Sequence, residues 1–123
     1  MNAYASATVA YKESSIVTAP PERLVVMLYD GAVRFLAQAA AATRQNDVAG
    51  VNDRLQRAEA ILSELNSTLD MSAGDIALRL RAIYTFCRRH LSEARLERRA
   101  EKIEEVSRLL GELRDAWAQV AGE

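Results

Sequence analysis

One cysteine, Cys87, is too few for an intramolecular disulfide or a multi-cysteine zinc site. Glycine and proline are also scarce, five and two, with no Gly/Ser tract, so collagen-like and disordered compositions are excluded. Aromatics make up 6%, and strand formers are thin beside Ala, Leu, Glu and Arg. No charge dominates: 16 Lys and Arg meet 17 Asp and Glu, for a net charge of −1 and a pI of about 5.9. A nucleic-acid binder that neutralises phosphates needs a cationic surplus, and none exists here. No uninterrupted apolar run reaches the roughly 18 residues of a membrane span, so no membrane insertion is expected. The start, Met1-Asn2-Ala3-Tyr4, lacks the charged and apolar regions of a Sec signal, which with a lone thiol points to the cytosol. What remains is a chain of 123 residues, half of them apolar, with a helical composition and enough bulk for one core.

Residues 1–17 are polar and aperiodic and read as an N-terminal arm, with residues 18–121 forming the domain. Pro20-Pro21-Glu22 ends any upstream helix and opens a new one, with Pro21 at the first helical position and Glu22 at the positive helix end. The first helix is expected from Pro21 to Thr43 and is apolar over most of its circumference, as suits a central helix or one that meets a partner. Asn46-Asp47 interrupts it and offers Asp47 as the next N-cap. In the second helix Val51, Leu55, Ala58, Leu62, Leu65 and Leu69 recur every four and three residues, the seam of a left-handed packing. After the break Asp70–Gly74, Ser72 and Asp75 resemble a capping box for a third helix. That helix carries Ile76, Leu80, Ile83, Cys87, Leu91 and Ala94.

The last boundary has no Gly or Pro and is argued from phase. Extending the third stripe past Ala94 lands on Arg98, Glu101 and Glu105, whereas the apolar positions resume at Ile103, Val106, Leu110, Leu113, Trp117 and Val120. The two stripes are about half a turn out of register, so a turn is expected within Arg95–Arg99. The fold class is then all-α, an antiparallel up-down four-helix bundle.

Motifs for catalysis are absent: no Gly-rich phosphate loop, no nucleophile elbow, and with one histidine no paired Glu-x-x-His. No cofactor or metal site is expected, and the chain does not read as an enzyme. Cys87, on the third stripe, reads as a small buried hydrophobe. His90 lies at the edge of that stripe and reads as structural; the alternative is a phospho-acceptor of a histidine phosphotransfer domain. Arg79, Arg81, Arg88, Arg89, Arg95, Arg98 and Arg99 crowd the third helix and its end, either as a solvated face or as a docking surface for an acidic partner. Gly31 inside the first helix costs about 1 kcal/mol relative to Ala, which implies close approach of another backbone. Its neighbour Asp30 is placed to pair with Arg34 one turn on.

Several segments resemble the FliS family of flagellar secretion chaperones. Tyr11 and Val17-Thr18-Ala19 precede Pro21-Glu22-x-Leu24, and Met27-Leu28-Tyr29-Asp30-Gly31-Ala32 follows with Phe35 behind. Asn52, Arg57-Ala58, Ile61, Leu65-Asn66-x-x-Leu69-Asp70 and Leu110-x-x-Leu113-Arg114-x-x-Trp117 complete the pattern in the same order. Two departures are Pro20, where the family commonly has Ser, and the arginines of 95–99, where it often has Asn, Lys and Asp. The resemblance implies a bundle that binds the disordered C-terminal segment of flagellin in the cytosol, stops premature polymerisation and presents it to a component of the flagellar type III export gate. It places partner contacts at Tyr11, Ile16, Val17, Tyr29, Asp30, Leu65 and Leu69, in a monomer or weak homodimer. The arm is expected to fold over part of the bundle and to move when the client binds. A helical dimerisation module is the other alternative.

Overall fold

The computed structural model describes residues 21–122. The arm, and with it Tyr11, Ile16 and Val17, lies outside the described residues. Four helices follow: α1 Pro21–Arg44, α2 Val48–Ser67, α3 Asp75–Glu97 and α4 Ala100–Val120, with one 3-10 turn, Met71–Ala73, between α2 and α3. Short connections make successive helices antiparallel. Helix α1 packs closely along both α2 and α4, while α3 meets α2 and α4 more sparsely. Alanines at the α1 positions 32, 39 and 40 and at Ala58 of α2 are buried, and such small side chains let helix axes approach.

Each connection has a local cause. Asn46 takes the left-handed conformation (φ 57°), and the Asp47 carboxylate accepts from the Gly50 amide at 3.0 Å, capping α2 as the sequence suggests. A Cβ on Gly50 would collide with that carboxylate, so glycine leaves room for the cap. The capping box expected at Ser72 does not form. Asp70, two residues earlier, captures Ser72 instead, accepting from its amide at 3.0 Å and its hydroxyl at 2.6 Å to cap the 3-10 turn. Gly74 (φ 84°) then turns the chain into α3 with no side-chain cap. The boundary argued from phase is present: α3 ends at Glu97, Arg98 is left-handed (φ 55°), and the Arg99 amide donates to the Ala94 carbonyl at 3.1 Å.

The core gathers the stripes read from the sequence, with Leu55, Ala58, Leu62, Leu65, Leu80, Cys87, Leu91, Ile103, Val106, Leu110 and Trp117 all buried. Val51, Ile76, Ile83 and Leu113 pack at its margin. Ala77 and Tyr84 join it without having been expected. Gly31 does face a close neighbour, but a side chain: a Cβ there would sit 3.2 Å from Ile61 Cδ1 of α2. Asp30 does not pair with Arg34. It accepts from Arg114 Nε of α4 at 2.7 Å, while the Arg34 guanidinium lies over the Phe35 ring, 5.6 Å from its centre. The segment Glu22–Arg44 is long and apolar enough to cross a membrane by length and composition. Its apolar side chains Val25, Val26, Tyr29 and Leu36 are core residues, which accounts for that composition.

Candidate partner-binding surfaces

The seam between α1 and α4 is lined by unusually small side chains. From α1 it receives Val33, Ala37 and Ala41, and from α4 Ser107 and Gly111. A Cβ on Gly111 would meet nothing within 4 Å. Helix ridges here are too low to fill the space between the cylinders, and two open hollows result, of about 550 Å³ toward the α1 C-terminus and about 450 Å³ toward its N-terminal half. Arg108 lines both, and the two hollows are together termed the furrow.

An ion pair crosses the furrow near each end. Arg44 donates two hydrogen bonds to the Glu104 carboxylate, at 2.7 and 2.8 Å, and Arg114 donates one to Asp30 at 2.7 Å. The hydrogen bond from Arg44 holds the Glu104 carboxyl below its ordinary range, and the same bond raises Arg44. Arg114 is raised likewise by its bond to Asp30. These pairs are solvent-exposed and contribute little stability, but they fix how α1 and α4 slide along each other.

His90 is hydrogen-bonded through one ring nitrogen and has a carboxylate near the other. Its Nε2 meets Glu105 of α4 at 2.6 Å, Nδ1 lies 3.8 Å from Glu93, and the ring stacks on Phe86 with centroids 5.2 Å apart. Only 15% of the side chain is exposed. A phospho-acceptor imidazole needs a free nitrogen, and carboxylates beside both nitrogens repel a phosphoryl group. Lys102 ties the same edge, donating to Glu93 and Glu97 and holding the Glu97 carboxyl down. Cys87 is buried, and that burial pushes its thiol up to about 11, where little nucleophilic thiolate exists near neutral pH. Among the described residues no three His, Cys, Asp or Glu side chains converge on a point that would hold a metal ion.

Of the residues proposed for partner contact from the sequence, Tyr11, Ile16 and Val17 lie outside the described residues. Tyr29 and Leu65 are fully buried and Leu69 nearly so, while Asp30 is exposed at the furrow. Ala37, Ala41, Ser107 and Gly111 were passed over, although a glycine inside α4 was a usable signal. Of the clustered arginines, Arg95 pairs with Glu59 at 3.1 Å and Arg99 approaches Glu97 at 4.0 Å.

The family described as flagellar protein FliS matches residues 2–123. The chain belongs to the FliS family. It is 36% identical to the flagellar secretion chaperone FliS of Salmonella typhimurium over 123 residues, covering 98% of this chain and 89% of that protein. Similarity to the flagellar secretion chaperone FliS of Bacillus subtilis is 34% over 110 residues, covering 89% and 82% of the two chains. The corresponding chaperone of Campylobacter jejuni is 36% identical over 112 residues, covering 90% and 88%. The relatives are named as secretion chaperones, and the furrow and the His90 bridge are features of this member's surface.

Proposed function

We propose that the chain is an export chaperone for flagellin, holding the client's C-terminal segment in the α1–α4 furrow. Membership in a secretion-chaperone family supports the class of function. The observation that supports the finer reading is the pair of open hollows along the α1–α4 seam, lined by Ala37, Ala41 and Gly111 with charged side chains such as Arg108 and Glu112 at their edges. An amphipathic segment that is disordered alone becomes helical when its apolar side chains enter such a channel. Ordering it costs several kcal/mol, about 2–5, so the contact has to extend along the seam rather than rest on one pocket. The masking is stoichiometric and needs no nucleotide. Bound in this way, the client cannot polymerise in the cytosol and is delivered to the export gate as a complex.

Calorimetric titration with a peptide of the flagellin C-terminal segment tests the reading. Saturable one-to-one binding with a negative heat-capacity change is expected, the mark of apolar burial. Gly111→Leu fills the furrow from a position with free space, and is expected to weaken that binding at least about tenfold while the protein stays folded. Absence of binding by folded wild type overturns the function, and full binding by Gly111→Leu overturns the location.

A further inference from the structure

At one end of the bundle the α1–α2 turn meets the α3–α4 turn, and a small pocket lies between them. Asn46 of the first turn, Val48, Val51 and Asn52 of α2, and Arg95 and Arg98 at the end of α3 line it. Two features set it apart. Among the described residues, Asn46 (φ 57°) and Arg98 (φ 55°) are the non-glycine residues in the left-handed region, and both stand in its wall. Asparagine tolerates that conformation, whereas for arginine it costs energy that glycine avoids. The second feature is Arg95, whose Nε is buried with no hydrogen-bond partner while Nη2 donates to Glu59 at 3.1 Å. A buried donor without an acceptor and a strained backbone are both unfavourable, and their coincidence at one pocket points to a ligand. Among the described residues no acidic side chain lines the pocket, and Arg98 takes part in no ion pair. Asp47, next to Asn46 in the chain, is engaged with the Gly50 amide, and Glu59 with Arg95. The carbonyls that close α1 and α3 here are taken by turn amides, Ala42 by Asp47, Thr43 by Asn46 and Ala94 by Arg99. The pocket therefore presents positive charge and spare donors with no anion to match them.

We infer that this pocket is a socket for one acidic side chain, aspartate or glutamate, of a partner polypeptide. Its free space is about 50 Å³. That is room for roughly three or four water molecules, the bulk of a carboxylate and the methylene or two that carry it. A metabolite would need a site several times larger, roughly 300–1,000 Å³. The planar Arg98 guanidinium matches the two oxygens of a carboxylate, and Asn46 and Asn52 add amide donors. Val48, 56% exposed, gives an apolar neighbour of the acidic residue a surface to pack on, which a free ion cannot use. On this reading the backbone cost at Arg98 is offset when its guanidinium is bound. The N-terminal arm is a poor occupant, because it joins α1 at the opposite end of that helix. Its acid, Glu13, precedes Pro21 by eight residues, at most about 29 Å of chain, whereas α1 from Pro21 to Thr43 runs about 33 Å. No residue lines both this pocket and the furrow, so the socket stands apart from the proposed client site.

Magnetic resonance of the full chain, reading the arginine Nε and asparagine side-chain amide signals, tests this with blocked pentapeptides. The probe is acetyl-Ala-Leu-Glu-Leu-Ala-amide, and its control carries Gln in place of Glu. The Glu peptide is expected to shift the Arg95 and Arg98 signals saturably, with a millimolar dissociation constant that rises with salt. The Gln peptide is expected to bind at least about tenfold more weakly. Arg98→Gly removes the guanidinium and relieves the backbone, so it is expected to bind the Glu peptide at least about tenfold more weakly while melting no lower than wild type. Its loss of binding is then not a loss of folding. Equal binding of the two peptides, or full binding by Arg98→Gly, overturns the inference. Shifts confined to residues outside the pocket overturn the location. Sodium acetate that saturates the same signals as tightly as the Glu peptide overturns the polypeptide partner in favour of a small free carboxylate.

Discussion

The phenolic oxygens of Tyr29 on α1 and Tyr84 on α3 lie 2.5 Å apart, with both side chains fully buried. Helices α1 and α3 stand diagonally in the bundle and share no extensive backbone contact, so this hydrogen bond joins two elements that neighbour packing leaves weakly connected. One hydroxyl donates and the other accepts, and each makes the other's burial tolerable. Tyr29→Phe and Tyr84→Phe are each expected to cost about 1 kcal/mol. The double variant should cost less than the sum, because the second change removes a group that has already lost this partner. Urea melts of the four proteins measure the coupling; strict additivity would mean that the bond contributes nothing.

Arg98 offers a gain in stability. It closes α3 in the left-handed conformation, where a side chain costs energy that glycine does not pay. Its guanidinium forms no ion pair among the described residues that a substitution would break. Arg98→Gly is expected to raise stability by about 1 kcal/mol, seen as a higher melting temperature. A lower one would show that the arginine stem packs more favourably than its exposure suggests.

The helices, the turn at Arg98 and the burial of Trp117 were legible because hydrophobic phase is a property of sequence: a stripe half a turn out of register has to break. The Asp30 partner was not legible. Arg34 one turn on and Arg114 on another helix are both suitable cations, and only the α1–α4 register brings Arg114 to 2.7 Å. Ser72 failed for a local reason, competition from Asp70 for the same hydroxyl. The furrow escaped because it is made by missing side chains. Ala37, Ala41 and Gly111 look like ordinary helix residues until two of their faces are set side by side. Tyr29 shows the opposite limit: its motif suggested contact with a partner, and in this structure its buried hydroxyl meets Tyr84, a pairing no sequence spacing announces.

Acid should loosen the α1–α4 seam. The Glu104 carboxyl is held below its ordinary value of 4.5 by the hydrogen bond from Arg44. A depressed carboxylate contributes stability that is fully present above the unfolded value and is lost as pH falls through the folded one. The loss therefore begins near pH 4.5 and continues below it. Arg44→Ala removes the cause, so its stability is expected to fall less steeply than that of wild type over that window, with equal slopes near neutrality. Denaturant midpoints measured from pH 6 to pH 3 should show the two curves converging; parallel curves would mean that Glu104 is not perturbed by Arg44.

Gly111 separates stability from binding. Its backbone is helical and the space beside it is empty, so Gly111→Ala adds a methyl group without collision and removes the entropic penalty of glycine in a helix. The expected gain is about 0.5–1 kcal/mol in the free protein. On the proposed reading a glycine here keeps the furrow deep, since each added carbon lowers the depth available to an incoming side chain. Ala is then expected to stabilise the protein with a small loss of affinity for the flagellin C-terminal peptide, and Leu to lose most of it. Thermal melts and calorimetric titrations of the three proteins give both quantities on the same samples. If affinity stays constant from Gly to Leu while stability rises, the glycine has no role in binding and the client lies elsewhere on the bundle.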